Sequence, residues 1–276
     1  MPETLLDLPY DLSALTRALV TEDDIPVDNL FSAKQRRLLV EPLYSSWQPP
    51  VLEDSSTARI FLADSDVGIF SSPRQPPIAP DMFLSLDVEP NPAYFANEHR
   101  AYFIWEFDKV PEVALEVVSN RKGHEMDQKM QRYGRMGIYY YVVFDPFRVL
   151  RGEPLLVHEL TFGGRRYRRR PDFALPEVGL SLQLWQGEFE GTQDEWLRWC
   201  DADGNVIPTG AERANTEAVR ADTEAVRADT EAVRANAEAA RAESESQRAN
   251  AEATARQRAE IELEKLRAEI LLLKNH

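Results

Sequence analysis

Two apolar segments that enclose a short polar stretch constrain the fold of this chain more than any other feature. Residues 111–118 (PEVALEVV) and 138–146 (IYYYVVFDP) are almost continuously apolar, as is typical of strands buried on both faces. Between them, Met126, Met130 and Tyr133 recur at helical spacing. A helix between two buried strands predicts a βαβ unit, in which the two strands are parallel neighbours in one sheet.

Glu116 interrupts the first apolar segment. Its neighbours Leu115 and Val117 are apolar, so its carboxylate starts from a buried strand. An unpaired buried carboxylate costs several kcal/mol or shifts its pKa strongly, and Glu116 therefore requires a metal ion or a cationic side chain. Two interpretations remain open: a catalytic acid, or a structural ion pair with Lys129 or an arginine.

Asp81 and Lys129 are the other candidate site residues. Asp81 follows Pro80 and opens the apolar segment DMFLSLDV, where an acid is either a turn cap or a site residue. Lys129 lies on the helix predicted over about residues 125–135 and can point towards the sheet edge, although a surface pair with Glu125 competes. Two carboxylates and an ammonium group at one sheet edge are what metal-assisted phosphodiester cleavage requires.

The segments around this unit predict a mixed α/β domain. A helix is expected to begin near Leu30, after Asp28 or Asn29 as a cap, and to be kinked or ended by Pro42. Its leucines share the face expected to pack on the sheet: Leu38, Leu39 and Leu43. Its basic residues share the opposite face: Lys34, Arg36 and Arg37. Residues 58–70 predict one or two strands, and residues 101–111 a short strand and a loop.

A basic run near residue 165 lies in a predicted hairpin, residues 154–170, with its turn at Gly163-Gly164. Four of its arginines are candidate contacts to nucleic-acid phosphates: Arg165, Arg166, Arg168 and Arg169. The alternative is that these charges protect the edge of the sheet against pairing with another chain.

The end of the chain has a different character, because EAVRADT repeats with a period of seven from residue 217. Residues 211–276 predict one helix about 100 Å long. Its narrow alanine seam and leucine-rich end predict weak association with a second copy of the chain. A solvated helix stabilised by Glu–Arg pairs is the alternative.

Composition sets the remaining limits. A length of 276 residues leaves room for one globular domain and an appendage. Together with the patterns above, it predicts an irregular segment at 1–29, a globular domain at 30–210 and the helical tail at 211–276. The net charge of −15 argues against a surface built for general nucleic-acid binding. With one cysteine, Cys200, no signal-peptide pattern and no apolar run long enough to span a membrane, we expect a cytoplasmic protein.

Four fragments in a fixed order resemble a known family: PPIAPD (76–81), KVPEVALEVVSN (109–120), Lys129 with Tyr133, and GIYYYVVFDP (137–146). Together with VGL at 178–180 and WLRW at 196–199, they resemble the Uma2-like restriction-endonuclease family, a branch of the PD-(D/E)XK nuclease superfamily. The resemblance extends through most of residues 22–210.

This resemblance implies a restriction-endonuclease-like α/β fold, in which helices flank a mixed β-sheet. It implies Asp81 and Glu116 as ligands of Mg²⁺, with Mn²⁺ as a substitute, and Lys129 as the group that positions or activates the attacking water. The implied activity is Mg²⁺-dependent hydrolysis of DNA. The alternative is an inactive nuclease-fold scaffold that acts through its helical tail.

Two features depart from the superfamily pattern. The lysine expected two residues after the second acid is replaced by Val118, so the lysine must come from the helix. The family's acid near the start of that helix is matched only by Glu125, and Glu41 is the candidate for a third acid on the first helix.

Overall fold

The computed structural model describes residues 29–51, 59–89, 100–119, 123–161, 163 and 166–274. The irregular segment predicted at 1–29 therefore lies almost wholly outside the described residues. The elements in chain order are α1 (Leu30–Ser46), β1 (Phe61–Asp64), β2 (Ile69–Phe70), β3 (Met82–Leu86), β4 (Tyr102–Phe103), α2 (Ile104–Phe107), β5 (Val113–Val117), α3 (Gly123–Met136), β6 (Tyr140–Phe144), β7 (Leu155–Thr161), β8 (Arg166–Arg169), β9 (Ala174–Leu175), a 3₁₀ turn (Pro176–Val178), β10 (Leu180–Phe189), β11 (Thr192–Cys200) and α4 (Gly210–Lys274).

A six-stranded mixed sheet, in the order β1-β3-β5-β6-β7-β8, forms the centre of the domain. Strands β5 and β6 are parallel and are joined through α3, so the predicted βαβ unit is confirmed. The other neighbours in this sheet pair antiparallel, including the predicted β7–β8 hairpin. Two smaller sheets accompany it, β11-β10-β9 and β2-β4. Where a loop was expected after β4, the chain forms the short helix α2.

Side chains alternate between the two faces of the central sheet and build two separate cores. One core contains α1 and residues of the β11-β10-β9 sheet; its strand residues include Met82, Leu84, Val113, Leu115, Tyr140 and Val142. The other contains Tyr133 of α3; its strand residues include Phe83, Ala114, Tyr141 and Val143. Glu116 and Asp81 have the parity of this second set, so they belong to the face that α3 covers.

Helix α1 begins as predicted, because Oδ1 of Asn29 accepts a hydrogen bond from the Ser32 N–H at 2.8 Å. Its leucine face is buried against the sheet as expected. Pro42 does not end the helix, which continues to Ser46. Burial of Leu39 and Leu43, about 2 kcal/mol each, offsets the loss of about 3 kcal/mol that an internal proline causes.

Helix α4 starts with a reciprocal cap in which Thr209 and Glu212 each accept the other's backbone N–H. The buried Arg198 donates two hydrogen bonds to the Glu212 carboxylate. Glu41 of α1 is exposed and accepts the Gly210 N–H at 2.9 Å, so it serves the start of α4.

By contacts, the chain divides into two compact units, Met1–Arg213 and Ala214–His276. The second unit is the continuation of α4, a single uninterrupted helix along its described length. Its larger apolar side chains are exposed, among them Val219, Val226, Val233, Leu263 and Leu266. Although α4 is long, neither it nor another described helix contains a stretch apolar enough to cross a membrane.

Candidate active site

Strand pairing brings Asp81 and Glu116 together. Strands β3 and β5 are antiparallel with Met82 opposite Leu115, and one step further along this ladder Asp81 lies opposite Glu116. Residues opposite each other on antiparallel strands project from the same face. Oδ2 of Asp81 accepts a hydrogen bond of 2.7 Å from the N–H of Val117, the residue after Glu116. The two carboxylates are therefore neighbours where β3 begins and β5 ends, in the interior of the sheet.

Helix α3 adds Lys129 and Tyr133 to this pair of acids. The two residues are one turn apart and share a helix face. The Lys129 ammonium donates to Oε2 of Glu116 at 2.7 Å, and the Tyr133 hydroxyl donates to Oε1 at 2.6 Å. The side chain of Glu116 is 4% exposed and that of Lys129 is 24% exposed. The ammonium group thus links the buried acid to the solvent-facing side of the site.

Burial dominates the protonation of Glu116 and raises its pKa to about 7 from the ordinary 4.5. The positive charge of Lys129 lowers the pKa of Glu116, whereas the nearby Asp81 carboxylate raises it. The hydrogen bonds from Lys129 and Tyr133 also lower the pKa. Burial together with the charge of Glu116 raises the pKa of the Tyr133 phenol well above its ordinary value, so Tyr133 acts as a proton donor in its bond to Glu116.

Arg36 joins the site from α1, although the helical pattern predicted it on the outer face with Lys34 and Arg37. That prediction was wrong for Arg36, which is 6% exposed. Its Nη1 donates to Oδ1 of Asp81 and to Oδ1 of Asp66, each at 2.8 Å. The spacing to Leu39 and Leu43 (three and seven residues) is the signal that places Arg36 on the buried stripe.

The paired carboxylates fit a hard divalent cation. Each oxygen of Asp81 and Glu116 accepts one of the hydrogen bonds above, and a carboxylate oxygen has a second lone pair with which it can bind an ion. Mg²⁺ is commonly held by one or two carboxylates together with water and substrate phosphates. Within the described ranges, no group of three His, Cys, Asp or Glu side chains is arranged to hold a metal. The site therefore offers two protein ligands.

The other acids suggested by the sequence do not add to this pair. Glu41 lies five residues after Arg36 on α1, and its Oε1 accepts the N–H of Gly210 at the start of α4. The side chain of Glu125 lies outside the described residues. Among the described residues no third acid joins Asp81 and Glu116, so the candidate third acid at Glu41 is not confirmed; one of its carboxylate oxygens accepts the Gly210 N–H instead.

The basic run forms β8, which is an edge strand of the central sheet. Arg166, Arg168 and Arg169 are exposed, and Arg165 lies outside the described residues. Acidic neighbours offset part of this charge: Arg168 is 3.7 Å from Glu159, and Arg169 is paired with Glu153. This placement is compatible with both interpretations of the run, phosphate contact and protection of the edge.

The sheet topology, the flanking helices and the pair of acids at the ends of β3 and β5 are those of an α/β domain of the restriction-endonuclease type. Residues 29–190, more than half of the chain, match the Uma2 family model, described as "Putative restriction endonuclease". The chain therefore belongs to the Uma2 family, as its sequence predicted, and this membership indicates a nuclease-like function. A search of curated proteins and a search of solved structures each found no match.

Proposed function

We propose that the protein is a Mg²⁺-dependent endonuclease that hydrolyses phosphodiester bonds in DNA, with Asp81, Glu116 and Lys129 as its catalytic residues. The observation that carries this proposal is the meeting of an aspartate that directly precedes β3, a buried glutamate from β5 and a lysine from α3. Three separate segments of the chain bring these groups together where β3 begins and β5 ends. A structural ion pair between Glu116 and Lys129 alone would not need Asp81 beside it, because a second carboxylate makes the charged form of Glu116 less stable.

Each residue has a distinct part in this chemistry. Asp81 and Glu116 supply hard oxygen ligands, and a bound Mg²⁺ would activate water and neutralise charge on the phosphate. Lys129 can stabilise the negative charge that develops on the phosphate, because its ammonium is partly exposed beside the acids. Tyr133 and Arg36 are positioning residues: Tyr133 fixes the orientation of the Glu116 carboxylate, and Arg36 does the same for Asp81.

Cleavage of supercoiled plasmid in the presence of Mg²⁺ tests the proposal. We expect the full chain to nick the plasmid, and the variants Asp81→Asn and Lys129→Met to be at least about 100-fold slower, as for loss of a group that stabilises charge in the transition state. Arg227→Gln, an exposed change on α4, is the matched control for altered charge. Nicking at equal rates by wild type and both site variants would refute the proposal.

A second candidate function is that of an inactive scaffold that acts through α4. The contact that favours it is the one between Arg36 and Asp81, because a cationic side chain already neutralises one of the two acids. The line of exposed valines on α4, seven residues apart, would then carry the activity as a surface for a second copy of the chain. Absence of nicking at every Mg²⁺ concentration, together with dimerisation that requires residues 214–276, is the result expected for the scaffold.

A further inference from the structure

The buried side chain of Arg36 joins two carboxylates that differ in their exposure to solvent. Its Nη1 donates to Oδ1 of Asp81 and to Oδ1 of Asp66, each at 2.8 Å. The Arg36 side chain is 7% exposed and that of Asp81 is 17% exposed, whereas that of Asp66 is 54% exposed. Among the described residues, these two acids are the ion-pair partners of Arg36. The guanidinium therefore lies between an acid of the candidate active site and an acid at the protein surface.

We infer that Asp66 is a positioning residue of the proposed metal site, which holds the Arg36 guanidinium when a divalent ion takes its place on Asp81. The inference rests on the proposed nuclease function and adds to it an acid that acts through Arg36 and not on the ion. In the metal-free protein Arg36 is shared between Asp66 and Asp81. In the metal-loaded protein it remains paired with Asp66.

The hydrogen bonds of Asp81 show why Arg36 has to give way. Oδ2 of Asp81 accepts the N–H of Val117, which is fixed in strand β5, and Oδ1 is the oxygen that Arg36 contacts. A guanidinium and a divalent ion on one carboxylate repel each other, and a partly buried environment screens this repulsion weakly. Binding of an ion at Asp81 therefore favours movement of the Arg36 charge towards Asp66.

Asp66 makes this movement inexpensive. Loss of one member of a buried ion pair leaves the other charge uncompensated, and this is strongly destabilising. Because the bond between Arg36 and Asp66 is already formed, the guanidinium keeps a carboxylate partner when Asp81 turns to the ion. Without the Asp66 charge, Arg36 would have to stay on Asp81 and compete with the ion for it.

Binding of Mn²⁺ alone to the full chain, followed by the electron paramagnetic resonance signal of the free ion, tests this inference. Asp66 has a φ of 57°, which asparagine also adopts readily, so Asp66→Asn removes the charge and keeps the backbone preference. We expect this variant to bind Mn²⁺ about tenfold more weakly, the effect of losing one hydrogen bond between charged groups.

Asp64→Asn is the matched control. Asp64 is an exposed acid two residues earlier, its Oδ1 accepts the Ser65 N–H, and it is outside the two ion pairs of Arg36. Its replacement should change the Mn²⁺ affinity by less than about twofold. An unchanged affinity in Asp66→Asn, or equal losses in Asp66→Asn and Asp64→Asn, would overturn the inference.

A double-mutant cycle separates a role through Arg36 from direct contact with the ion. In the background of Arg36→Met there is no guanidinium to hold, so adding Asp66→Asn should change the Mn²⁺ affinity by less than about twofold. A tenfold loss in this background as well would overturn the inference, because Asp66 would then act on the ion or on the fold. Arg36→Met is a buried change, so circular dichroism checks that it folds; the comparison of Asp66→Asn with Asp64→Asn decides the matter without it.

Plasmid nicking in Mg²⁺ by the same preparations separates the two proposals. Loss of Mn²⁺ affinity that depends on Arg36, without nicking by wild type, would remove the nuclease assignment and keep the role of Asp66. Nicking by wild type with an unchanged Mn²⁺ affinity in Asp66→Asn would do the reverse. Absence of Mn²⁺ binding by wild type would overturn the inference.

Discussion

Replacing Glu116 by glutamine should stabilise the metal-free protein at alkaline pH. Burial holds the pKa of this carboxyl at about 7 in the folded chain, compared with an ordinary value of 4.5. At 1.36 kcal/mol per pH unit, this difference corresponds to about 3 kcal/mol. Glutamine has nearly the same shape, can accept the Tyr133 hydrogen bond and stays neutral at every pH. The variant therefore does not bear the free-energy cost of a buried ionised carboxylate.

The pH dependence of wild-type stability follows from the protons that Glu116 binds in the folded and unfolded chains. Between about pH 4.5 and pH 7 the folded chain keeps a proton on Glu116 that the unfolded chain has released, so wild-type stability falls as the pH rises through this window. Below this window Glu116 is protonated in both the folded and the unfolded wild type, so wild type and Glu116→Gln should have nearly the same stability. Above it, the variant should be more stable by up to about 3 kcal/mol.

Urea unfolding in EDTA, followed by tryptophan fluorescence at about pH 5 and about pH 8.5, measures this difference. All five tryptophans lie between residues 47 and 199, so the signal reports the globular unit and not α4. Glu106→Gln makes the same chemical change at an exposed position and serves as the control. A difference between wild type and Glu116→Gln that does not change with pH would refute the reasoning that a buried, metal-free carboxylate is costly when ionised.

Three further results are expected. The Tyr133 hydrogen bond lowers the pKa of Glu116, so Tyr133→Phe should raise this pKa and shift the onset of nicking to higher pH. A pH–rate profile measures this shift, and an unchanged profile would contradict it. Arg36→Met should lower metal-free stability by about 3 kcal/mol and increase the stabilisation by Mg²⁺, since the ion then supplies the cation opposite Asp81; urea unfolding with and without Mg²⁺ tests this, and equal stabilisation of variant and wild type would count against it. Deleting residues 214–276 should abolish any concentration-dependent mass in sedimentation velocity, whereas association retained by the shortened chain would show that α4 is not responsible.

Local apolar patterns were enough to predict the centre of the fold. Strands β5 and β6 are nearly uniform apolar runs, and α3 has its apolar residues at helical spacing, so their parallel arrangement follows from short-range information. The burial of Glu116 was predictable for the same reason. The length of α4 was also evident, because its seven-residue repeat contains neither proline nor glycine.

Pairing between distant segments could not be predicted in this way. The position of Asp81 opposite Glu116 depends on the register of β3 against β5, which is set by turns and packing elsewhere in the sheet. Arg36 was assigned to the outer face because amphipathic patterns place charges in solvent, and its burial depends on Asp66 and Asp81, which are 30 and 45 residues away.

As a nuclease centre, the site requires that Asp81 and Glu116 share a divalent ion beside Lys129. Crystals of the protein soaked with Mn²⁺, with data collected at the manganese absorption edge, test it most directly. We expect one anomalous peak within bonding distance of both carboxylates (about 2.1 Å for this class of ion), with the Arg36 guanidinium displaced from Asp81 or sharing its oxygens. A fully occupied peak elsewhere, or no peak while Asp81 and Glu116 keep their contacts to Arg36 and Lys129, would contradict the assignment of this site as a nuclease centre.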